Sequence, residues 1–217
     1  ATATSLKGKG EPVQVYTVLG EARESPGAGG NAAEECMISS ELVGRDKELN
    51  RLELALLEVI NGRGGIINVV GEAGIGKSRL IADFRGKCSD RKILVLEGKA
   101  LSMGANLSFH PVIHLLKNWF SIAEDDDPKE ALHKIGYRIK DIVGAGTEEI
   151  IPFIATLMGL ELPDSMAEKI TGIEGDKLAR LIARGMKDLL SAGAVKQPLV
   201  VIFEDAHWAD TSSIDLF

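Results

Sequence analysis

Apolar residues in this chain gather into short continuous runs bounded by glycine, proline or charged residues. Such runs, at residues 65–70, 93–96 and 198–203, predict buried β-strands. A fourth stretch, at residues 12–19, is rich in β-branched side chains and also predicts a strand. Because an isolated strand is unstable in water, we expect this fourth strand to need a sheet that the rest of the sequence need not supply.

Between these runs, apolar residues recur every three or four positions, as they do on one face of an α-helix. Asp46 is predicted to cap a helix that ends at Asn61-Gly62, and the acidic run before Pro128 predicts another helix start. Residues 99–197 are then predicted to be mainly helical. These helices form either a lid or part of the packed core, and we favour the core. The other predicted helices cover residues 78–84 and 177–191 or begin near Pro111, Pro152 and Thr211.

One glycine-rich segment carries a specific chemical pattern. Residues 71–78 match the phosphate-binding sequence G-x-x-x-x-G-K-[ST] at every fixed position. A strand before the loop and a helix after it favour anion binding, because backbone N–H groups and the helix N-terminus both point at the loop. Lys77 is expected to reach the β- and γ-phosphates, and Ser78 a Mg²⁺ ion. The predicted nucleotide contacts here are Gly71, Glu72, Ala73, Gly74, Ile75, Gly76, Lys77, Ser78 and Arg79.

A second candidate element is the acidic pair that follows the last apolar run. Glu204 and Asp205 come directly after residues 198–203. A carboxylate at the tip of a neighbouring strand can hold Mg²⁺, usually through water, and a second can orient or deprotonate the attacking water. His207 is either a sensor of the γ-phosphate or, as we favour, an ordinary loop histidine.

Composition narrows the function classes. The chain has 217 residues with a formal net charge of −7, which argues against nucleic-acid or membrane-surface binding by the whole chain. Cys36 and Cys88 form no C-x-x-C pair, so a disulfide scaffold or zinc site is not expected and a reducing cytoplasm fits best. The sequence has neither a membrane-length apolar run nor a signal peptide, and its first residue is Ala1.

Three motifs in order resemble the AAA-like signalling ATPases of the STAND class, which are related to origin-recognition ATPases. They are Val43-Gly44-Arg45-Asp46, the loop at residues 71–78, and the segment from Val200 to Asp210. The resemblance covers residues 41–217 and implies ATP as the nucleotide, with Val43, Gly44 and Arg45 near the adenine. It also implies Glu204 at the Mg²⁺ position, with Ser78, and Asp205 as the water-activating acid, with Lys77 also assisting the reaction. The usual order places Asp first, so which acid does which task stays open.

Residues 6–16 are similar to the C-terminal end of class III adenylate/guanylate cyclase domains. We therefore predict a cyclase tail at residues 1–20, a flexible linker at 21–40 and an incomplete ATPase domain at 41–217. Such a chain is a fragment of a multidomain regulator, in which the ATPase contacts the cyclase upstream and possible helical repeats downstream.

The predicted fold is a three-layer α/β P-loop domain with a mostly parallel sheet and a helical insertion, truncated at its C-terminus. The leading functional hypothesis is an ATP-binding, Mg²⁺-dependent, slowly hydrolysing switch linked to a cyclase. Alternatives are the ATPase module of a DNA-binding transcription regulator, a replication initiator, or a scaffold that binds nucleotide without hydrolysing it. The least favoured alternative is a scaffold that binds partners without nucleotide. The isolated chain is expected to bind ATP weakly and to hydrolyse it negligibly.

Overall fold

The computed structural model describes residues 2–4, 13–15, 43–101, 108–144 and 146–216, with the side chains of 2–4, 13–15, 147 and 148 excepted. The chain divides into two units, Ala1–Cys36 and Met37–Phe217. The predicted linker at residues 21–40, with Cys36, lies outside the described residues.

In the first unit, strand β1 (Thr2–Thr4) pairs antiparallel with strand β2 (Val13–Val15). The strand predicted at residues 12–19 is therefore confirmed over its first part. Its pairing partner, β1, lies a few residues upstream in the same chain. This strand therefore does not need a sheet from elsewhere in order to pair.

The second unit contains a parallel strand pair. Strand β3 (Leu94–Lys99) pairs with strand β4 (Leu199–Glu204), and the register places Glu97 opposite Ile202 and Lys99 opposite Glu204. Both predicted strands are confirmed, although β3 runs to Lys99, beyond its predicted end. Parallel strands need a long connection, and here the helices between β3 and β4 supply it.

The strand predicted at residues 65–70 is wrong for this structure. These residues carry no strand or helix, and Ile66 and Val70 are 87% and 91% exposed. A strand is stabilised by ladder hydrogen bonds and by burial of its side chains against neighbours. Among the described residues β3 and β4 pair with each other and not with this segment, so an apolar run alone does not make it a strand.

The helices agree with the predicted pattern in position, although those predicted at 78–84 and 177–191 are longer in the structure, at Lys77–Asp90 and Gly175–Lys196. Three further local corrections apply. Asp46 is the first helical residue and not the cap, which is Arg45. Pro152 lies inside its helix and not at its start. A four-residue helix and a 3₁₀ turn at Ala206–Trp208 were not predicted. The helices are α1 (Asp46–Ile60), α2 (Lys77–Asp90), α3 (His110–Phe120), α4 (Pro128–Val143), α5 (Thr147–Leu157), α6 (Asp164–Ala167), α7 (Gly175–Lys196) and α8 (Thr211–Ile214).

Two hydrophobic clusters cover opposite faces of the β3–β4 pair. Leu96 and Val201 pack with a large cluster formed mainly by α3, α4, α5 and α7. Ile202 and Val95 pack with a smaller cluster from α1 and α2. Successive side chains of a strand point to opposite faces, which explains why neighbours such as Val201 and Ile202 enter different clusters. The helices of residues 99–197 are therefore chiefly core packing, as predicted. In the part of the chain that the structure describes, no helix is both long and apolar enough to cross a membrane.

Candidate functional site

The glycine-rich loop at residues 71–76 leads directly into α2. Gly74 and Gly76 have φ of +77° and +95°, in the left-handed region where a side chain would be strained. Gly76 is also the N-cap of α2. A Cβ at Gly71 would lie 3.1 Å from Ile75 Cγ2, which is a tight contact. The backbone path of this loop therefore favours glycine at all three positions.

Lys77 and Ser78 open the first turn of α2. The ammonium of Lys77 donates to the carbonyl oxygens of Gly71 and Glu72, each at 2.9 Å, so the lysine reaches back across the loop. Ser78 is exposed, as are Glu72, Ala73 and Ile75. The first N–H groups of a helix lack intrahelical acceptors and carry partial positive charge. The geometry is suited to an anion held between Lys77 and the start of α2.

Arg45 links the segment at residues 43–45 to this loop. Its Nη2 donates to the carbonyl oxygen of Ile75 at 3.0 Å, and its Nη1 pairs with Glu48 at 3.1 Å. A backbone hydrogen bond and the Arg45 guanidinium together lower the pKa of Glu48. Val43 and Gly44 are exposed beside Arg45 in sequence.

Glu204 is the last residue of β4, and Asp205 follows it in a left-handed conformation with φ of 54°. Glu204 Oε1 accepts from Arg85 Nη2 at 2.8 Å, which ties the end of β4 to α2. Arg85 Nε lies 2.6 Å from Glu97 Oε1 on β3. Asp205 is exposed, and its carbonyl oxygen accepts from the Trp208 N–H at 2.8 Å.

Residues 41–217 match the family model described as an AAA ATPase domain. The chain belongs to this family. Membership gives it the α/β fold of P-loop NTPases and a function in binding nucleotide, with ATP as the family's nucleotide and Mg²⁺ as its usual metal.

The chain also resembles an uncharacterized protein of Rhizobium meliloti (strain 1021). The two are 27% identical over 176 residues, which is 81% of this chain and 16% of the relative. The chain therefore spans a small part of the length of the relative it matches. No solved structure matches the chain significantly.

The AAA ATPase domain offers oxygen donors that fit Mg²⁺. The Ser78 hydroxyl and the carboxylates of Glu204 and Asp205 are hard ligands of the kind this ion prefers. Within the described ranges no group of three or more His, Cys, Asp or Glu side chains could hold a metal.

Arg79, which the sequence predicts as a nucleotide contact, forms an ion pair within α2. Its Nε lies 3.2 Å from Asp83 Oδ2, one turn along α2. His207 is exposed, with its ring centroid 4.9 Å from that of Trp208. The nucleotide contact of Arg79 and the role of His207 stay predictions.

Arg85 and Glu97 are site residues that the sequence analysis missed. One signal was present: Glu97 follows the apolar run at 93–96 much as Glu204 follows 198–203. Since parallel strands end at the same edge of a sheet, two such carboxylates lie near each other and attract a cation. Arg85 is the cation because α2 packs against the strand pair. The periodicity of apolar residues does not specify that packing.

Proposed function

We propose that residues 41–217 bind Mg²⁺-ATP at the loop of residues 71–78 and hydrolyse it slowly, as the switch module of a STAND-type signalling regulator. The observation that carries the proposal is the position of Lys77. Its ammonium spans the loop to two carbonyl oxygens at 2.9 Å while α2 begins at the same residue. A cation and a helix N-terminus thus face one small cradle of backbone.

Lys77 supplies the energetic reason for phosphate binding. A phosphate oxygen carries negative charge, whereas a carbonyl oxygen is neutral, so Coulomb attraction to the ammonium favours the phosphate. Phosphate oxygens therefore compete well against the carbonyl oxygens of Gly71 and Glu72 for Lys77. Binding exchanges these loop contacts for ligand contacts, which changes the loop and suits a switch.

The remaining proposed roles are those that the family resemblance implies for these residues. Ser78 and Glu204 hold Mg²⁺, and Asp205 orients or deprotonates the attacking water. Arg45, with Val43 and Gly44, lies on the adenine side, and its bond to the Ile75 carbonyl couples that side to the loop. The metal, when bound, neutralises charge on the phosphates.

The finer architecture is a three-layer α/β domain with a mostly parallel sheet, of which β3 and β4 are two strands. The packing of separate helical clusters on the two faces of this strand pair supports it. We further propose that residues 1–20 end a class III adenylate/guanylate cyclase domain and that residues 21–40 are a linker. Reading the encoding DNA upstream tests the link, which requires a domain with two metal-spaced aspartates there.

Equilibrium binding of a fluorescent ATP analogue tests the nucleotide site. Lys77→Ala should weaken binding at least tenfold, because a hydrogen bond to a charged group contributes about 1.5–3 kcal/mol and about 1.4 kcal/mol is tenfold. Lys87→Ala is the matched control, since Lys87 lies on the same helix but pairs with Glu53 at 3.4 Å. Circular dichroism should show both variants folded. Equal affinity in both variants would remove Lys77 from the site.

A further inference from the structure

One cation is shared by two carboxylates at the end of the strand pair. Arg85 on α2 lies 2.6 Å from Glu97 on β3 and 2.8 Å from Glu204 on β4. The three side chains are 25%, 32% and 21% exposed, so water screens them only in part. These three side chains together carry a net charge of −1, before the charge of Lys99 on β3 is counted.

This cluster includes the carboxylate that the proposed function gives to Mg²⁺. Arg85 already satisfies one oxygen of Glu204, and a guanidinium a few ångströms from a divalent cation repels it. Lys99, which stands opposite Glu204 in the strand register, adds a second positive charge nearby. Glu97 acts in the opposite sense, because it draws the Arg85 guanidinium toward β3.

We propose that Arg85 competes with Mg²⁺ for Glu204 and so sets the Mg²⁺ concentration at which nucleotide is held. The inference rests on the proposed function, because it takes Glu204 as the residue that holds Mg²⁺. Glu97 tunes the competition by sharing the guanidinium. Arg85 is thus a positioning residue, and metal binding is coupled to the contact that joins α2 to the strand pair.

The charges of the cluster give opposite predictions for its two partners. Arg85→Gln makes the cluster more negative by one charge, so it attracts Mg²⁺ more strongly. Glu97→Gln removes one negative charge and one competitor for the guanidinium, so Arg85 pairs more strongly with Glu204. A purely structural ion-pair network would instead weaken in both variants, and metal dependence would shift in the same direction or not at all.

The experiment measures binding of a fluorescent ATP analogue while Mg²⁺ is titrated, with an EDTA baseline. Arg85→Gln should lower the half-saturating Mg²⁺ concentration about tenfold, and Glu97→Gln should raise it about fivefold, within the usual range of coupling between sites. Arg85→Lys keeps the charge and should stay close to wild type. Arg91→Gln is the matched control, because Arg91 is the C-cap of the same helix and the change removes its ion pair with Glu53 at 3.3 Å.

Opposite shifts in the two variants support the competition. Unchanged half-saturation, or shifts in the same direction, overturn it while leaving the nucleotide site intact. Should Arg85→Gln fail to fold, Glu97→Gln decides alone, since Arg85 is retained and only an increase in the required Mg²⁺ agrees with competition. If the wild-type chain binds no analogue in Mg²⁺ or in EDTA, the proposed function itself fails, and the inference fails with it.

Discussion

Asp205 combines an unfavourable backbone conformation with a proposed chemical role. Its φ of 54° and ψ of 38° lie in the left-handed region, which costs most side chains about 1–2 kcal/mol. Aspartate tolerates this region better than most residues, since its short polar side chain can bond locally. Strain that persists next to a candidate site is a reason to suspect function there.

Substitution of Asp205 should separate backbone strain from charge. Asp205→Gly should be about 1 kcal/mol more stable than Asp205→Ala, because glycine adopts positive φ without a steric cost. Asp205→Asn should match the parent in the free energy of unfolding, measured in urea, while removing the acid. Equal stability of the glycine and alanine variants would show that the conformation is not strained.

Asp210 holds two separate segments together through one carboxylate. It accepts from the Ser213 N–H at 2.9 Å, from the Ser213 hydroxyl at 2.6 Å, and from the Phe109 N–H at 3.1 Å. Partial burial acts to raise the pKa of Asp210, but the hydrogen bonds from Ser213 and Phe109 outweigh it and lower that pKa below 3.8. The residue thus joins the start of α8 to the segment before α3.

Asp210→Ala should therefore lower the free energy of unfolding by about 1–2 kcal/mol at neutral pH, as loss of a helix cap does. The folded pKa of Asp210 lies below the unfolded one, so the unfolded state binds more protons between the two. The contribution is present above pH 3.8 and is lost as the pH falls through the folded pKa. Urea unfolding at several pH values should show the gap between variant and parent narrowing in acid, and a constant gap would contradict this.

At the scale of elements, Gly98 determines how closely α3 approaches the strand pair. A Cβ at Gly98 would lie 2.7 Å from the carbonyl oxygen of Pro111 and 3.3 Å from the Phe203 ring. The backbone of α3 therefore lies so close to β3 that only glycine fits at position 98. Gly98 is buried within β3, where glycine would otherwise weaken a strand.

Gly98→Ala should destabilise the protein by about 1–3 kcal/mol, the usual cost of inserting a methyl group into a packed interior. Gly86→Ala is the control, because Gly86 lies on an exposed side of α2 with nothing within 4 Å of an added Cβ. That change should instead stabilise by about 0.5–1 kcal/mol through better helix propensity. Calorimetric unfolding of both variants checks the pair, and similar losses in both would contradict the packing argument.

At this scale, the sequence predicts elements that depend on neighbouring residues and not those that depend on contacts between distant parts of the chain. The helices α1, α4 and α7 follow from apolar periodicity, and Asp127 caps α4 as its sequence indicates. The segment at 65–70 could not be judged locally, because strand formation requires a pairing edge. Gly98 and the Arg85 cluster depend on contacts between distant elements, which no spacing rule supplies.

For the whole molecule, we expect the segment before the loop, which pairs with neither β3 nor β4, to limit activity. Residues 65–70 are exposed and lack ladder bonds to β3 or β4. Ordering this segment on binding costs conformational entropy, which reduces affinity. We expect weak ATP binding and negligible phosphate release by the purified chain, measured over hours with Mg²⁺. Robust turnover would contradict this and show that the strand pair suffices.

The parallel register of β3 and β4 also determines the order of folding. Leu94 and Leu199 are neighbours in space but roughly a hundred residues apart in the chain. Their pairing must therefore overcome the entropy cost of closing a long loop before the strand contacts stabilise the fold. The helices between them are rich in local contacts and form early by comparison. Glu97, Arg85 and Glu204 meet only when that closure is complete. Any nascent chain still short of residue 199 therefore carries the glycine-rich loop without Glu204 and Asp205, and under the proposed function we expect full Mg²⁺-dependent nucleotide binding to come late in folding.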